Sequence, residues 1–168
     1  MRILAVDPGP QRSAWVVINE DGSSHPLVVS FALEPNDDLL ARIREQRFCS
    51  PPLPMHCAME MVASYGMPVG REVFDTVWWA GRFAQCFGAD SVDRIYRLQV
   101  KLAICKDSRA KDSNVRQAII DRYPATGGGR VPQIGTKAKP GPLYGVRADE
   151  WAAIGVALTW LGRASKEN

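Results

Sequence analysis

The run RILAVD at residues 2–7 constrains the fold more than any other stretch of the chain. Ile3 to Val6 are apolar without alternation, the pattern of a strand covered on both faces. The run ends on an acid, Asp7, and Pro8-Gly9-Pro10 turns the backbone at once. An ionised carboxylate at the tip of a buried strand is costly unless a cation, hydrogen-bond donors or a solvated cleft meets it. The remaining sequence must therefore supply a covering layer on each side of this strand and partners for its acid.

The layers are readable from periodicity. SAWVVIN (13–19) is a second strand, the turn DGSS (21–24) ends it, and PLVVSFALE (26–34) is a third. Connections this short predict an antiparallel meander. Asn36 is expected to cap a helix over 37–47, with Asp37 and Asp38 favourable in its first turn. SPPLP (50–54) breaks that helix, and MHCAMEM (55–61) is a fourth strand, again apolar and again carrying one acid, Glu60. SYGMP (64–68) is a loop. Val73, Phe74, Val77, Trp78, Gly81, Ala84 and Phe87 recur at helical spacing over 71–87. A fifth strand is expected over 91–98, one or two helical turns over 99–105, and an amphipathic helix within 108–123 that starts near Lys111 and turns Ile119 and Ile120 inward. The stretch 124–146, with six Gly and four Pro, is too long for a simple connector. ADEWAAIGVALTWLGR (148–163) is a last, well-buried helix. The order β-β-β-α-β-α-β-α-α predicts an α/β fold, a mixed sheet with helices on its faces.

A chain of 168 residues with 46% hydrophobic content is expected to fold as one domain. No apolar stretch is long and clean enough to cross a membrane, and no secretory signal is visible at the start, so a cytoplasmic protein is expected. Cys49, Cys57, Cys86 and Cys105 form no CxxC pair, and free thiols are the simplest reading. Charge is uneven. Residues 94–147 hold twelve Lys or Arg against three Asp, a net of +9, whereas the whole chain is only +3. A cationic face on an acidic body points to a polyanion, because each neutralised phosphate releases counterions.

The acids give that face a chemistry. If the first and fourth strands are parallel neighbours, Asp7 and Glu60 open at one end of the sheet, where ligand sites of such sheets lie. Carboxylates crowded at one point need a cation, and Mg²⁺ suits oxygen ligands while keeping waters for chemistry. A third acid comes from Asp149 or Glu150 at the start of the last helix. Asp149 shares a stripe with Ala152, Ala153 and Val156, and Glu150 shares one with Ala153, Ile154, Ala157 and Leu161, so periodicity does not choose between them.

ILAVDPG, AMEM, LQVKLAICKDSRAKDSNVRQAI and ADEWAAIGVALTWL, in that order over nearly the whole chain, resemble the RuvC-type Holliday junction resolvases, especially short phage-like relatives. The acid-x-Gly turn alone also occurs in actin-like ATPases and sugar kinases, but those need two such domains. The resemblance implies a ribonuclease H-like five-stranded mixed sheet with helices on both faces. It implies a metal-dependent endonuclease that cuts four-way junctions or other branched DNA with two Mg²⁺ or Mn²⁺ ions. Asp7 and Glu60 match the metal ligands of the first and fourth strands, and Asp149 is the best match for the terminal acid, with Glu150 the alternative. Lys101 and Lys111 match basic residues near the scissile phosphate or the DNA backbone, and Lys111 is carried over as catalytic. Lys106, Arg109, Tyr65 and Arg71 are further candidates for DNA contact, the last two because the loop 64–72 follows Glu60 directly. The family usually has two acids, or a His and an acid, three residues apart before the last helix. Here the earlier position is Val146 or Arg147. That departure keeps open a non-catalytic branched-DNA-binding module of the same fold. The resemblance also implies a homodimer, matching a two-fold junction. The helix over 71–87 is the candidate dimer surface, although core packing is the simpler expectation for Phe74 and Trp78.

Overall fold

A computed structural model describes residues 1–22, 25–48, 55–64 and 66–167. Five strands form one sheet: β1 (Arg2–Asp7), β2 (Arg12–Asn19), β3 (Leu27–Pro35), β4 (His56–Met61) and β5 (Val92–Tyr96). Their order is β3-β2-β1-β4-β5, so the strand of the continuous apolar run is the central one. β1 pairs antiparallel with β2 and parallel with β4, and β4 pairs parallel with β5. The expected meander and the mixed sheet are both present. The expected DGSS turn and the SPPLP break lie partly or wholly outside the described residues.

Strand alternation divides the core into two layers. Ile3, Ala5, Ala58 and Ile95 point to one face, covered by α3 (Arg97–Cys105), α4 (Asp112–Ile120) and α5 (Glu150–Glu167). Leu4, Val6, Cys57 and Met59 point to the other, covered by α1 (Asn36–Arg44) and α2 (Arg71–Phe87). Ile3, Leu4, Met59 and Ile95 are at most 1% exposed, and full burial of each such side chain contributes about 1.5–3 kcal/mol. α5 runs back along the sheet. Its Trp160 donates from Nε1 to Asp93 Oδ2 at 2.6 Å and stacks against His56, both at the starts of their strands. The beginning of α5 therefore lies at the opposite edge, where β1 and β4 end.

The turn behind Asp7 is held by a buried polar network rather than by its prolines alone. Ser13 Oγ donates to Asn36 Oδ1 at 2.6 Å, Asn36 Nδ2 donates to the Gly9 carbonyl at 2.9 Å, and the Gly9 amide donates to Ser13 Oγ at 3.1 Å. A Cβ at Gly9 would stand 2.3 Å from the Arg12 carbonyl, so only glycine fits. Asn36 thus does not cap α1 as expected. It is the first helical residue, after Pro35, and its side chain ties the start of α1 to the turn.

Two other expectations are corrected. The fifth strand stops at Tyr96 instead of 98, because the Gln99 side chain accepts the Tyr96 amide at 2.9 Å and starts α3 at Arg97. Phe74 and Trp78 do not pack in the core: α2 buries Thr76, Ala80 and Phe83 and leaves Phe74 64% and Trp78 68% exposed. The segment 124–146 forms a loop that closes on itself. Gly127 donates to Pro132, Gly128 to Lys139 and Gly141 to Ile134, while Leu143 is fully buried and anchors it to the core. Gly135, at φ +81° and against the Gly141 amide, admits no side chain. Cys57, Cys86 and Cys105 are free, and burial pushes the Cys57 thiol up to about 12.

Candidate active site

The register of β1 and β4 pairs Val6 with Met59, and one step further it brings Asp7 beside Glu60. By alternation both point to the α5 face, on adjacent strands about 4.8 Å apart. They line a cavity of about 160 Å³ together with Pro8, Met61, Val62, Ala63 and Arg97. Burial raises the Asp7 carboxyl well above its ordinary range, and the charges of Glu60 and Asp149 push it further the same way. Burial also raises Glu60, to about 7, with Arg97 opposing the shift.

Asp149 and Glu150 lie one residue apart in different surroundings. Glu150 is buried, and its Oε2 accepts the Arg147 amide at 2.8 Å, closing the turn into α5. Its cavity is formed with Arg12, Phe31, Leu33 and Gly145. Asp149 is exposed, and its carbonyl accepts the Ala152 and Ala153 amides as the helix starts. Its side chain lines a cavity of about 430 Å³ between the beginnings of α4 and α5, shared with Arg97, Asp112, Arg116 and Arg147. Ala148, just before it, is held at φ 42°, a left-handed conformation that costs energy for a residue with a Cβ. The charge of Asp149, but not of Glu150, is felt by Asp7.

Arg97 and Asp112 belong to the same cluster and were not singled out by sequence patterning. Arg97 Nη2 donates to Asp112 Oδ1 at 2.6 Å, and its Nη1 stands 3.6 Å from Glu60 Oε2. Burial works against the Arg97 charge, but the Asp112 hydrogen bond and the charge of Glu60 outweigh it and its pKa is raised. The signal available was one of topology. A basic residue two positions beyond Ile95 shares its face, and Ile95 pairs with Glu60.

The basic candidates are spread around this edge. Lys101, one helical turn after Arg97, is close enough to help lower the Asp112 pKa after the dominant Arg97 hydrogen bond. Lys111 is exposed at the start of α4, beside Asp112, with its amide donating to Asn114 Oδ1 at 2.9 Å. Lys106 and Arg109 are exposed in the α3–α4 connection, Lys106 closing α3 at φ 60°. Arg71 is exposed at the start of α2 and pairs with Asp75 at 3.5 Å. Tyr65 lies outside the described residues.

The donor set fits a hard divalent cation: two partly buried carboxylates in register, with Glu60 Oε2 lacking any hydrogen bond. Among the described residues no three His, Cys, Asp or Glu groups stand close enough to form a complete cage. Asp7 and Glu60 are the two acids that the fold brings side by side, and the charge of Asp149, from the turn into α5, reaches Asp7.

Sheet order, strand directions and the helix at the C-terminal edge define the ribonuclease H-like fold in its RuvC-like form. The structure of T. thermophilus RuvC in complex with Holliday junction substrate matches with a TM-score of 0.67 at 19% identity, covering 99% of this chain and 96% of that one. A second Thermus thermophilus RuvC structure matches with a TM-score of 0.66 at 18% identity, covering 99% and 97%. No protein-family model matches the chain, and no curated protein matches it. Among the described residues no helix is long and apolar enough to cross a membrane.

Proposed function

We propose that this chain is a metal-dependent, structure-selective endonuclease that hydrolyses phosphodiester bonds in four-way junctions or other branched DNA. The observation that carries the reading is the register of Asp7 and Glu60 on parallel strands, both on one face and both with raised pKa values. Carboxylates left in that condition gain most from a cation, and the fold shared with RuvC, one of whose structures is a complex with Holliday junction substrate, supports DNA as the substrate.

Asp7 and Glu60 would hold Mg²⁺ or Mn²⁺, with Asp149 closing the third side and Glu150 committed to the backbone. Bound divalent ions would lower the pKa of a coordinated water and neutralise charge on the scissile phosphate. Lys111 and Lys101, at the rim, stand to meet the negative charge that grows on the phosphate oxygens. Lys106, Arg109 and the rest of the net +9 segment 94–147 grip backbone phosphates and orient the junction. Arg71 and Tyr65 stay candidates for contact at the junction centre. The exposed face of α2, with Phe74, Val77 and Trp78, fits a homodimer interface that presents two cutting sites to a two-fold substrate. We read the protein as acting in the cytoplasm, in one domain, on recombination or branch-removal intermediates such as those of a phage genome.

The test is cleavage of a synthetic four-way junction with Mg²⁺ or Mn²⁺ by the wild type, Asp7→Asn and Glu60→Gln. Cutting by the wild type alone is the expected result. The lack of a complete cage among the described residues favours one second reading, a branched-DNA-binding module without catalysis. Junction binding by a wild type that never cuts would establish that reading, and ATP hydrolysis without DNA would overturn both.

A further inference from the structure

Arg97 lines the same cavity as Asp7 and Glu60 and is divided unequally between two carboxylates. Its outer bond, Nη2 to Asp112 Oδ1 at 2.6 Å, is a full charge-assisted hydrogen bond. Its inner contact, Nη1 to Glu60 Oε2 at 3.6 Å, is an ion pair without a hydrogen bond. Nη1 and Oε2 are both buried and both lack a hydrogen-bond partner. A guanidinium with a purely architectural task satisfies its planar fork, and buried polar atoms are rarely left open. This one is tethered firmly at the exposed side, on Asp112, and engaged loosely at the acidic pair. Such an arrangement lets the inner contact break while the outer one persists.

We propose that Arg97 is an internal counter-cation for the Asp7–Glu60 pair. In the metal-free chain it supplies part of the positive charge that a divalent cation brings, and it yields Glu60 to that cation while remaining on Asp112. The inference rests on the reading of Asp7 and Glu60 as metal ligands and adds a residue that sets how tightly they bind. Arg97 is a positioning residue here. Its guanidinium keeps two crowded acids tolerable before loading, and it weakens metal binding by the same charge.

The test is titration of Mn²⁺ without DNA, followed by calorimetry, into the wild type, Arg97→Gln, Arg97→Lys and Arg116→Gln. Thermal denaturation with and without Mn²⁺ accompanies it. Arg97→Gln is expected to bind Mn²⁺ about tenfold tighter or more, since a like charge a few ångströms from the cation is removed. Its metal-free midpoint falls below wild type, and Mn²⁺ closes the gap. Arg97→Lys keeps the charge but lacks the fork that spans both carboxylates, so it binds Mn²⁺ about two- to fivefold tighter than wild type. Arg116→Gln removes a charge from the adjoining cavity and stays within about twofold, which separates the specific contact from the general field. Arg97→Gln affinity at or below wild type overturns the proposal, as does an unchanged metal-free midpoint. If Arg97→Gln does not fold, Arg97→Lys decides by the same affinity criterion. Mn²⁺ binding that is lost in Asp7→Asn but indifferent to Arg97 sinks this inference alone. A wild type that binds no Mn²⁺ sinks the metal-site reading and this inference with it.

Discussion

On the side of the sheet covered by α5, the tips of β1 and β4 hold charged groups in partly buried positions: Asp7, Glu60 and the Arg97 that faces them. On the other side, α2 turns Phe74, Val77 and Trp78 out into solvent. The usual distribution of polar and apolar residues is broken twice, in opposite directions, on opposite faces of one sheet. The consequences differ. A buried carboxylate pair costs stability within the folded chain, a cost that the proposed cation would relieve. Exposed aromatics hardly oppose folding, and their effect falls on association. One face should therefore trade activity against stability, and the other should change oligomeric state and leave stability alone.

The sharpest way to break that contrast is to neutralise the acids. Asp7→Asn and Glu60→Gln should each lower junction cleavage by about a thousandfold or more if the pair holds the cation as proposed, since that charge is then gone. Junction binding should fall only severalfold, and the metal-free thermal midpoint should hold or rise. A variant that keeps a tenth of wild-type cutting, read on a labelled four-way junction, would remove that residue from the metal site.

The aromatic face is tested by association. If α2 forms the proposed dimer interface, Trp78→Glu should raise the dissociation constant by about thirtyfold or more, the effect of losing a large side chain at the centre of an interface. Sedimentation velocity at micromolar concentration reads this. The monomeric variant should unfold at nearly the wild-type temperature, because Trp78 is 68% exposed in the single chain. A wild type that sediments as a monomer, or a dimer indifferent to Trp78→Glu, would leave α2 without a role in assembly.

The contrast also separates what was legible in the sequence. RILAVD read as a strand covered on both faces because double-sided burial leaves an unbroken apolar run, and Asp7 and Glu60 stood out as single acids in such runs. Their pairing needed only the assumption of parallel neighbours, which the register bears out. Phe74 and Trp78 were harder. Helical periodicity identifies one apolar face, but α2 carries apolar groups over a wider arc than the sheet covers, and spacing does not say which part is left outside. Asn36 was misread as a cap because the residue type is right for one. Its tie to Ser13 and Gly9 depends on bringing residues 9, 13 and 36 together, which no local pattern encodes. Arg97 was missed for the same reason, since its partners Glu60 and Asp112 come from other elements.

A smaller effect tests the cost of the buried acids directly. The folded pKa of Glu60 is raised to about 7 from its ordinary 4.5. The folded state therefore holds a proton more tightly than the unfolded chain. The stability this contributes is fully present below pH 4.5 and is lost as pH rises through about 7. The raised Asp7 carboxyl acts in the same direction. Urea denaturation in a chelator should show about 3 kcal/mol less stability at pH 8 than at pH 5 from Glu60. Glu60→Gln should flatten the profile, and saturating Mg²⁺ should recover much of the loss at pH 8 in the wild type. A wild-type profile that rises with pH, the ordinary behaviour of paired carboxylates, would mean that the pair is not a stored cost.

The finest test lies between two neighbours in the chain. Asp149 and Glu150 are indistinguishable by spacing, yet Glu150 is buried on the Arg147 amide while Asp149 is exposed and opposes the Asp7 charge. Glu150→Gln keeps an acceptor for the amide and loses only the charge near the start of α5. It should cost about 0.5–1 kcal/mol of stability and leave cleavage within about threefold. Asp149→Asn removes a charge with no hydrogen-bond partner among the described residues, so stability should stay within about 0.5 kcal/mol while Mn²⁺ affinity and cutting both fall. Crossing the two readouts is what makes the pair informative. A structural acid moves the denaturation midpoint and spares the metal isotherm, and a ligand does the reverse. If Glu150→Gln weakens Mn²⁺ binding more than Asp149→Asn does, the last helix must turn about its axis when metal binds. The acid that completes the site would then be the one now holding the backbone.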